Sequence, residues 1–218
     1  KTVQNLVNIQ NFIKSKQSEL KNNCIVPKII AVSKTFKLNH ILPLIEYGHV
    51  DYGENKVQEA LEKWSEIKST NNKIKLHLIG KLQTNKVKVS LKIFDYIHSL
   101  DNEKLARKIS DEQIKQNLKP KLFIQVNIGN ELQKSGIQEE KLGEFYNYCK
   151  ELNLNIVGIM CIPPIDDDPK VSFSKMSNLK EKMNFEEISM GMSSDYLDAI
   201  KYNSSFLRIG SSIFGPRS

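Results

Sequence analysis

Short apolar runs alternate with longer amphipathic ones along this chain, and the alternation repeats often enough to define a fold. The strand candidates are "KIIAVS" (28–33), "HVDYGE" (49–54), "KIKLHLIG" (73–80), "FDYIHSL" (94–100), "KLFIQVNI" (121–128), "NIVGIM" (155–160), "EEISMG" (186–191) and "FLRIG" (206–210). Helical periodicity fills the intervals. Val57, Ala60, Leu61, Trp64 and Ile67 recur at spacings of three and four, as do Leu142, Phe145, Cys149 and Leu152. Ahead of the first strand, Leu6, Ile9, Ile13 and Leu20 mark a leading helix. Asp101 in "SLDNEKLA" is the expected N-cap of the helix that follows it.

Strands that alternate with helices form parallel sheets, because each crossover needs a dozen or so residues. Eight such units in 218 residues predict a (β/α)8 TIM-type barrel at the small end of its size range, with an extra N-terminal helix. An open doubly wound sheet is the alternative, weakened because no GxGxxG follows the first strand. The span 1–218 reads as a single domain, and "CIPPIDDDPK" (161–170) is its clearest loop.

Composition narrows the function classes. The net charge of +7 invites a nucleic-acid reading, but the 32 basic residues are 29 Lys and only 3 Arg. That is a bias toward lysine rather than a surface built for bidentate phosphate or base contacts. Cys24, Cys149 and Cys161 are odd in number and widely spaced, which predicts small buried residues in a reducing compartment. His40, His49, His77 and His98 show no metal-ligand spacing, and no metal site is expected. The apolar runs are too short to span a bilayer and the opening segment is not a signal peptide, so a cytoplasmic protein is expected.

Candidate chemistry gathers where strands end, the active face of a barrel. Lys34 closes the first run, Glu54 and Asn55 the second, Gly80 the third and Asn127 the fifth. The seventh and eighth run into "SMGMSS" and "RIGSS", which offer Ser193, Ser194, Gly210, Ser211 and Ser212. Glycine admits close backbone approach and hydroxyls donate to anionic oxygen, so these segments predict a phosphate cradle. A lysine desolvated in a pocket can lose several pKa units and attack an aldehyde as a neutral amine. Lysine and cradle together fit a phosphorylated aldehyde, of which pyridoxal 5'-phosphate (PLP) is the common case, and Arg208 is placed to face its ring nitrogen.

The segments "AVSKTF", "YGENKVQEA", "HLIGKLQTNK", "SLDNEKLA", "IQVNIGNELQKSGI", "GIMCIPP", "SMGMSSD" and "RIGSSIFGPR" resemble, in order, those of the pyridoxal phosphate homeostasis proteins. That family is related to the N-terminal barrel of alanine racemase. The resemblance implies PLP held as a Schiff base on Lys34, with Asn55 beside it and Arg208 at the ring nitrogen. It implies a phosphate held by Ser193 and the amides of Gly210 and Ser211, with His77 and Ser189 also lining the pocket. It further implies a carrier that buffers PLP or hands it to PLP-requiring apo-enzymes, without strong turnover of its own.

Racemases of this fold draw an acid/base tyrosine from a second domain, for which a chain stopping at Ser218 is not expected to have room. A monomer without membrane or nucleic-acid partners is therefore expected. Three other readings stay open on the residues alone. A PLP-dependent racemase needs a base on each face of its substrate, and a class I aldolase would use Lys34 on a sugar-type carbonyl. A basic nucleic-acid binder would rest on Lys81, Lys86, Lys88 and Lys92. Asp166 to Asp168 read as a solvated loop run rather than a cation site.

Overall fold

In the computed structural model, which describes residues 1–20, 25–132 and 134–216, eight parallel strands close into a barrel in sequence order. They are β1 (Lys28–Val32), β2 (Asp51–Glu54), β3 (Lys75–Leu78), β4 (Tyr96–Leu100), β5 (Lys121–Gln125), β6 (Ile156–Met160), β7 (Glu187–Met192) and β8 (Phe206–Ile209). Closure pairs the first strand with the last, with Lys28 opposite Phe206 and Ala31 opposite Ile209.

The helices are α1 (Thr2–Leu20), α2 (Leu38–Tyr47), α3 (Val57–Thr70), α4 (Val87–Ile93), α5 (Glu103–Gln116), α6 (Leu142–Glu151), α7 (Pro169–Met183), α8 (Tyr196–Lys201) and α9 (Ser211–Phe214). The extra helix α1 buries Leu6, Ile9 and Ile13. It packs on α2, α8 and α9 and so covers the closure seam, where Asn5 donates to the Ile213 carbonyl at 2.8 Å.

Two cores follow from the period of two along a strand. Outward residues such as Ile29, Ala31, Leu76 and Leu122 join Trp64, Phe145 and Phe173 from the helices in one continuous layer. Inward residues Ile30, Tyr96, Phe123, Met160 and Phe206 fill the barrel. His77 stacks on Tyr96 and His98 on Phe123, with ring centroids 4.3 and 4.4 Å apart.

Several sequence expectations shift locally. Four of the eight strands, β1, β3, β5 and β8, end short of their predicted limits, β7 runs one residue past its own, and the residues beyond the strand ends build the C-terminal rim. The N-cap of α5 is Asn102, not Asp101: Asn102 Oδ1 accepts the Leu105 amide at 2.9 Å. Asp101 instead accepts the Gly136 amide at 3.0 Å, tying the β4 exit to the β5 loop. In the three-Asp run, Asp168 caps α7 by accepting the Lys170 amide. Cys149 and Cys161 are free and buried, and Cys24 lies outside the described residues. Lys81, Lys86, Lys88 and Lys92 are exposed, as a solvated face requires.

Candidate functional site

The C-terminal rim surrounds a cavity of about 490 Å³, within the usual size for a small-molecule pocket. Its lining includes Lys34 and Asn55 after β1 and β2, Ser193, Ser194, Gly210 and Ser211 after β7 and β8, and Arg208 in the wall.

Lys34 stands two residues past β1 in a tight turn that is held from several directions. Phe36 donates to the Ser33 carbonyl at 3.1 Å, and Ser33 donates to Gly53 O at 3.0 Å. Thr35 has φ +68, a costly conformation for a β-branched residue, of order 1–3 kcal/mol. Its amide donates to Glu59 Oε1 at 2.6 Å, which offsets that strain.

Beneath the turn, Lys63 Nζ donates to Ser33 O at 2.8 Å and to Glu54 Oε1 and Glu59 Oε1 at 2.9 Å each. Glu54 is fully buried, and its Oε1 also accepts from Ser33 Oγ at 2.7 Å and Trp64 Nε1 at 2.9 Å. Burial pushes the Glu54 carboxyl above the usual range, against the opposing pull of Trp64 and Lys63. The residues either side of Lys34 are thus anchored to β2 and α3.

Asn55 follows β2 directly and is half-buried at the cavity edge. Gly80 is where the backbone past β3 meets it: a Cβ there would stand 2.4 Å from Asn55 O, so any side chain would push Asn55 out of place.

Two strands from β1 around the closed barrel, β7 ends in a turn closed by Asp195, whose Oδ1 accepts the Met192 amide at 2.7 Å and whose own amide donates to Met192 O at 3.1 Å. Gly191 enters this turn at φ +99, and a Cβ would meet Ala199 at 2.7 Å. The turn presents Ser193, whose Oγ accepts the Ser212 amide at 3.3 Å. That bond draws the β7 and β8 rims into one polar edge.

Arg208 is almost fully buried. Nη1 donates to Ser189 Oγ at 2.6 Å and Nη2 to the Cys161 carbonyl at 2.8 Å. Of the residues expected to touch a ligand, Lys34, Asn55, Ser193, Arg208, Gly210 and Ser211 share the cavity. His77 and Ser189 do not line it: they are fully buried inside the barrel, behind Arg208. Depth explains this: both point inward, as Arg208 does, but from strand interiors rather than from the rim.

Sequence reasoning missed Lys63 and Glu59, whose helix α3 reads as an ordinary amphipathic element. It also missed Asp51 and His98. The available signal was phase: Asp51 and His98 share the strand period of the other inward residues, and both bond to the inward His77.

The donor set fits PLP. An amine for the aldehyde, a hydroxyl and a glycine-containing edge for the phosphate, and a guanidinium for the ring nitrogen surround one cavity of suitable size.

Fold and site define a barrel of the alanine racemase N-terminal class, and the family model described as "Alanine racemase, N-terminal domain" matches residues 6–218. The chain is 37% identical to the pyridoxal phosphate homeostasis protein of Aquifex aeolicus, over 89% of this chain and 88% of that one. It is 35% identical to that of Haemophilus influenzae, over 98% and 95%. The structure of PipY from Synechococcus elongatus PCC7942 with PLP bound superposes with a TM-score of 0.79 at 29% identity, covering 93% of this chain and all of that one. The chain belongs to the pyridoxal phosphate homeostasis protein family.

Proposed function

We propose that this protein binds PLP in the rim cavity, captures it reversibly on Lys34, and serves vitamin B6 homeostasis by buffering and delivering it. The observation that carries this reading is the placement of Lys34, Arg208 and the 193/210–211 edge around one cavity.

When bound, PLP supplies an aldehyde that an amine can take up and release. The chain's own residues divide the remaining work. Lys34 provides the amine on a turn whose flanking residues are held by Lys63 and Glu59. Ser193 and the backbone of Gly210 and Ser211 hold the phosphate, and Asn55 packs beside the cofactor. Arg208 presents a permanent positive charge to the ring nitrogen, which disfavours protonating that nitrogen and leaves the ring a weak electron sink.

The same lining supports a carrier role without strong turnover. Its charged side chains among the described residues are Lys34, Lys81 and Arg208. Racemisation requires a positioned acid and base on opposite faces of a substrate, and this set supports capture rather than that chemistry. We extend the proposal to a cytoplasmic monomer that hands PLP to apo-enzymes. No helix among the described residues is long and apolar enough to cross a membrane.

The test is the visible spectrum of protein loaded with PLP, before and after borohydride, with peptide mass mapping. A band that vanishes on reduction, with the cofactor mass fixed on Lys34 and absent in Lys34→Ala, is the expected result. Protein left colourless and unmodified by added PLP would overturn the reading.

A further inference from the structure

Five inward side chains from five strands form one continuous hydrogen-bonded line across the barrel: Arg208 (β8), Ser189 (β7), His98 (β4), His77 (β3) and Asp51 (β2). The separations are 2.6 Å from Arg208 Nη1 to Ser189 Oγ, 2.9 Å from Ser189 Oγ to His98 Nδ1, 2.9 Å from His98 Nε2 to His77 Nδ1, and 2.8 Å from His77 Nε2 to Asp51 Oδ1.

Chemistry sets the direction of every link. A guanidinium only donates, so Ser189 Oγ must accept from Arg208. The serine has one hydrogen, and His98 Nδ1 is the acceptor within reach. His98 therefore carries no proton on Nδ1. Burial, with the Arg208 cation close by, holds its imidazole well below the usual range, so it is neutral with its proton on Nε2. That proton goes to His77 Nδ1, which leaves His77 neutral as well, with Nε2–H donating to the Asp51 carboxylate.

The reverse arrangement would start from a charged His77 and place the His98 proton on Nδ1. It would strand the Ser189 hydroxyl hydrogen in the interior and put a second cation in line with Arg208. Both are costly when buried.

We propose that Asp51, His77, His98 and Ser189 are positioning residues for Arg208: a one-way hydrogen-bond chain that fixes its guanidinium in the pocket wall from the far end of the barrel. Two of the guanidinium's donors are committed to Ser189 and the Cys161 carbonyl. The remaining N–H groups are then presented in one orientation.

The far end of the line is accessible. Asp51 keeps 15% of its side chain exposed and lines a separate cavity of about 340 Å³, with Lys14, Lys28 and His49, on the opposite pole. A substitution at Asp51 can therefore alter the pocket without touching anything bound there. The proposal rests on PLP occupying the rim cavity, but its first test needs no cofactor.

Nitrogen-15 NMR of the imidazoles in the full chain without PLP, assigned with His77→Gln and His98→Gln, should find both rings neutral and protonated on Nε2. A proton on His98 Nδ1, or a charged His77, overturns the proposal whatever PLP does. The second test compares Asp51→Ala with Asp51→Asn, which keeps an acceptor for His77 Nε2–H. Asp51→Ala should weaken PLP retention roughly two- to tenfold and shift the visible band, and Asp51→Asn should restore both toward wild type. Asp51→Ala protein that melts normally and binds PLP with an unchanged band and affinity would also overturn the proposal. If Asp51→Ala does not fold, the tautomer measurement decides alone.

Discussion

Lys63→Met is the most informative single change, because it removes a buried cation and keeps most of the side-chain volume. The Lys63 side chain is 9% exposed and that of Glu54 is wholly buried, with Nζ 2.9 Å from Oε1. Among the described residues Glu54 Oε2 has no hydrogen-bond partner, and Oε1 takes the three contacts with Ser33, Lys63 and Trp64. Deleting one member of a buried pair leaves the other uncompensated, at a cost of about 3–5 kcal/mol. For a chain of this length each kcal/mol moves the melting midpoint by about 2–4 °C, so a fall on the order of 10 °C is expected.

Urea or thermal unfolding of wild type, Lys63→Met, Glu54→Gln and the double variant forms a double-mutant cycle. The double variant should recover at least ~1.5 kcal/mol relative to Lys63→Met, because the stranded charge is gone. Lys63 also donates to Ser33 O, directly before Lys34, so the single variant should capture PLP on Lys34 more slowly. A loss below about 1 kcal/mol, or no recovery in the double variant, would refute the claim that this ion pair anchors the turn.

Acid sensitivity has a defined sign. Burial pulls His77 and His98 below the usual imidazole range, so the unfolded chain takes up protons first. Stability should be flat above about pH 7 and fall below about pH 6.5, by up to ~1.4 kcal/mol per pH unit for each histidine. Glu54, pushed up by burial, works against this at lower pH, because its folded form binds a proton before the unfolded chain does. Urea midpoints at pH 7.5, 6.5 and 5.5 check the trend, and an unchanged midpoint would contradict it. Gly80→Ala should weaken PLP binding and lower stability by about 1–3 kcal/mol, since its methyl would meet Asn55 O; calorimetry of both properties tests this. Asn102→Ala should cost about 1 kcal/mol of stability through the lost cap and leave the PLP spectrum unchanged.

The barrel was legible in the sequence because its signal is repetition: eight apolar runs separated by amphipathic ones leave few topologies. The placement of Lys34, Arg208 and the glycine–serine edges on one rim was legible because rim positions follow strand ends, which the pattern locates to within three residues. The second rank of residues was not. His77 and Ser189 were expected to line the pocket, but a residue facing the rim and one facing the barrel interior differ only by depth along the strand, which hydropathy does not encode. Asp101 and Asn102 are both good caps, and only the loop that places Gly136 against Asp101 decides between them. The Glu54–Lys63–Glu59 cluster depends on the angle at which α3 packs on β2, information that exists only in three dimensions.

The closure of β1 on β8 has a consequence for synthesis. Lys34 is synthesised more than 170 residues before Arg208, Gly210 and Ser211, and the cavity needs all of them. A nascent barrel with seven strands holds the reactive lysine but lacks the guanidinium and the β8 edge. PLP retention is therefore expected only once β8 has closed the barrel. Because only the closed barrel binds, PLP would stabilise finished molecules by mass action, by about 2.7 kcal/mol at a hundred times the dissociation constant, while unfinished ones gain nothing.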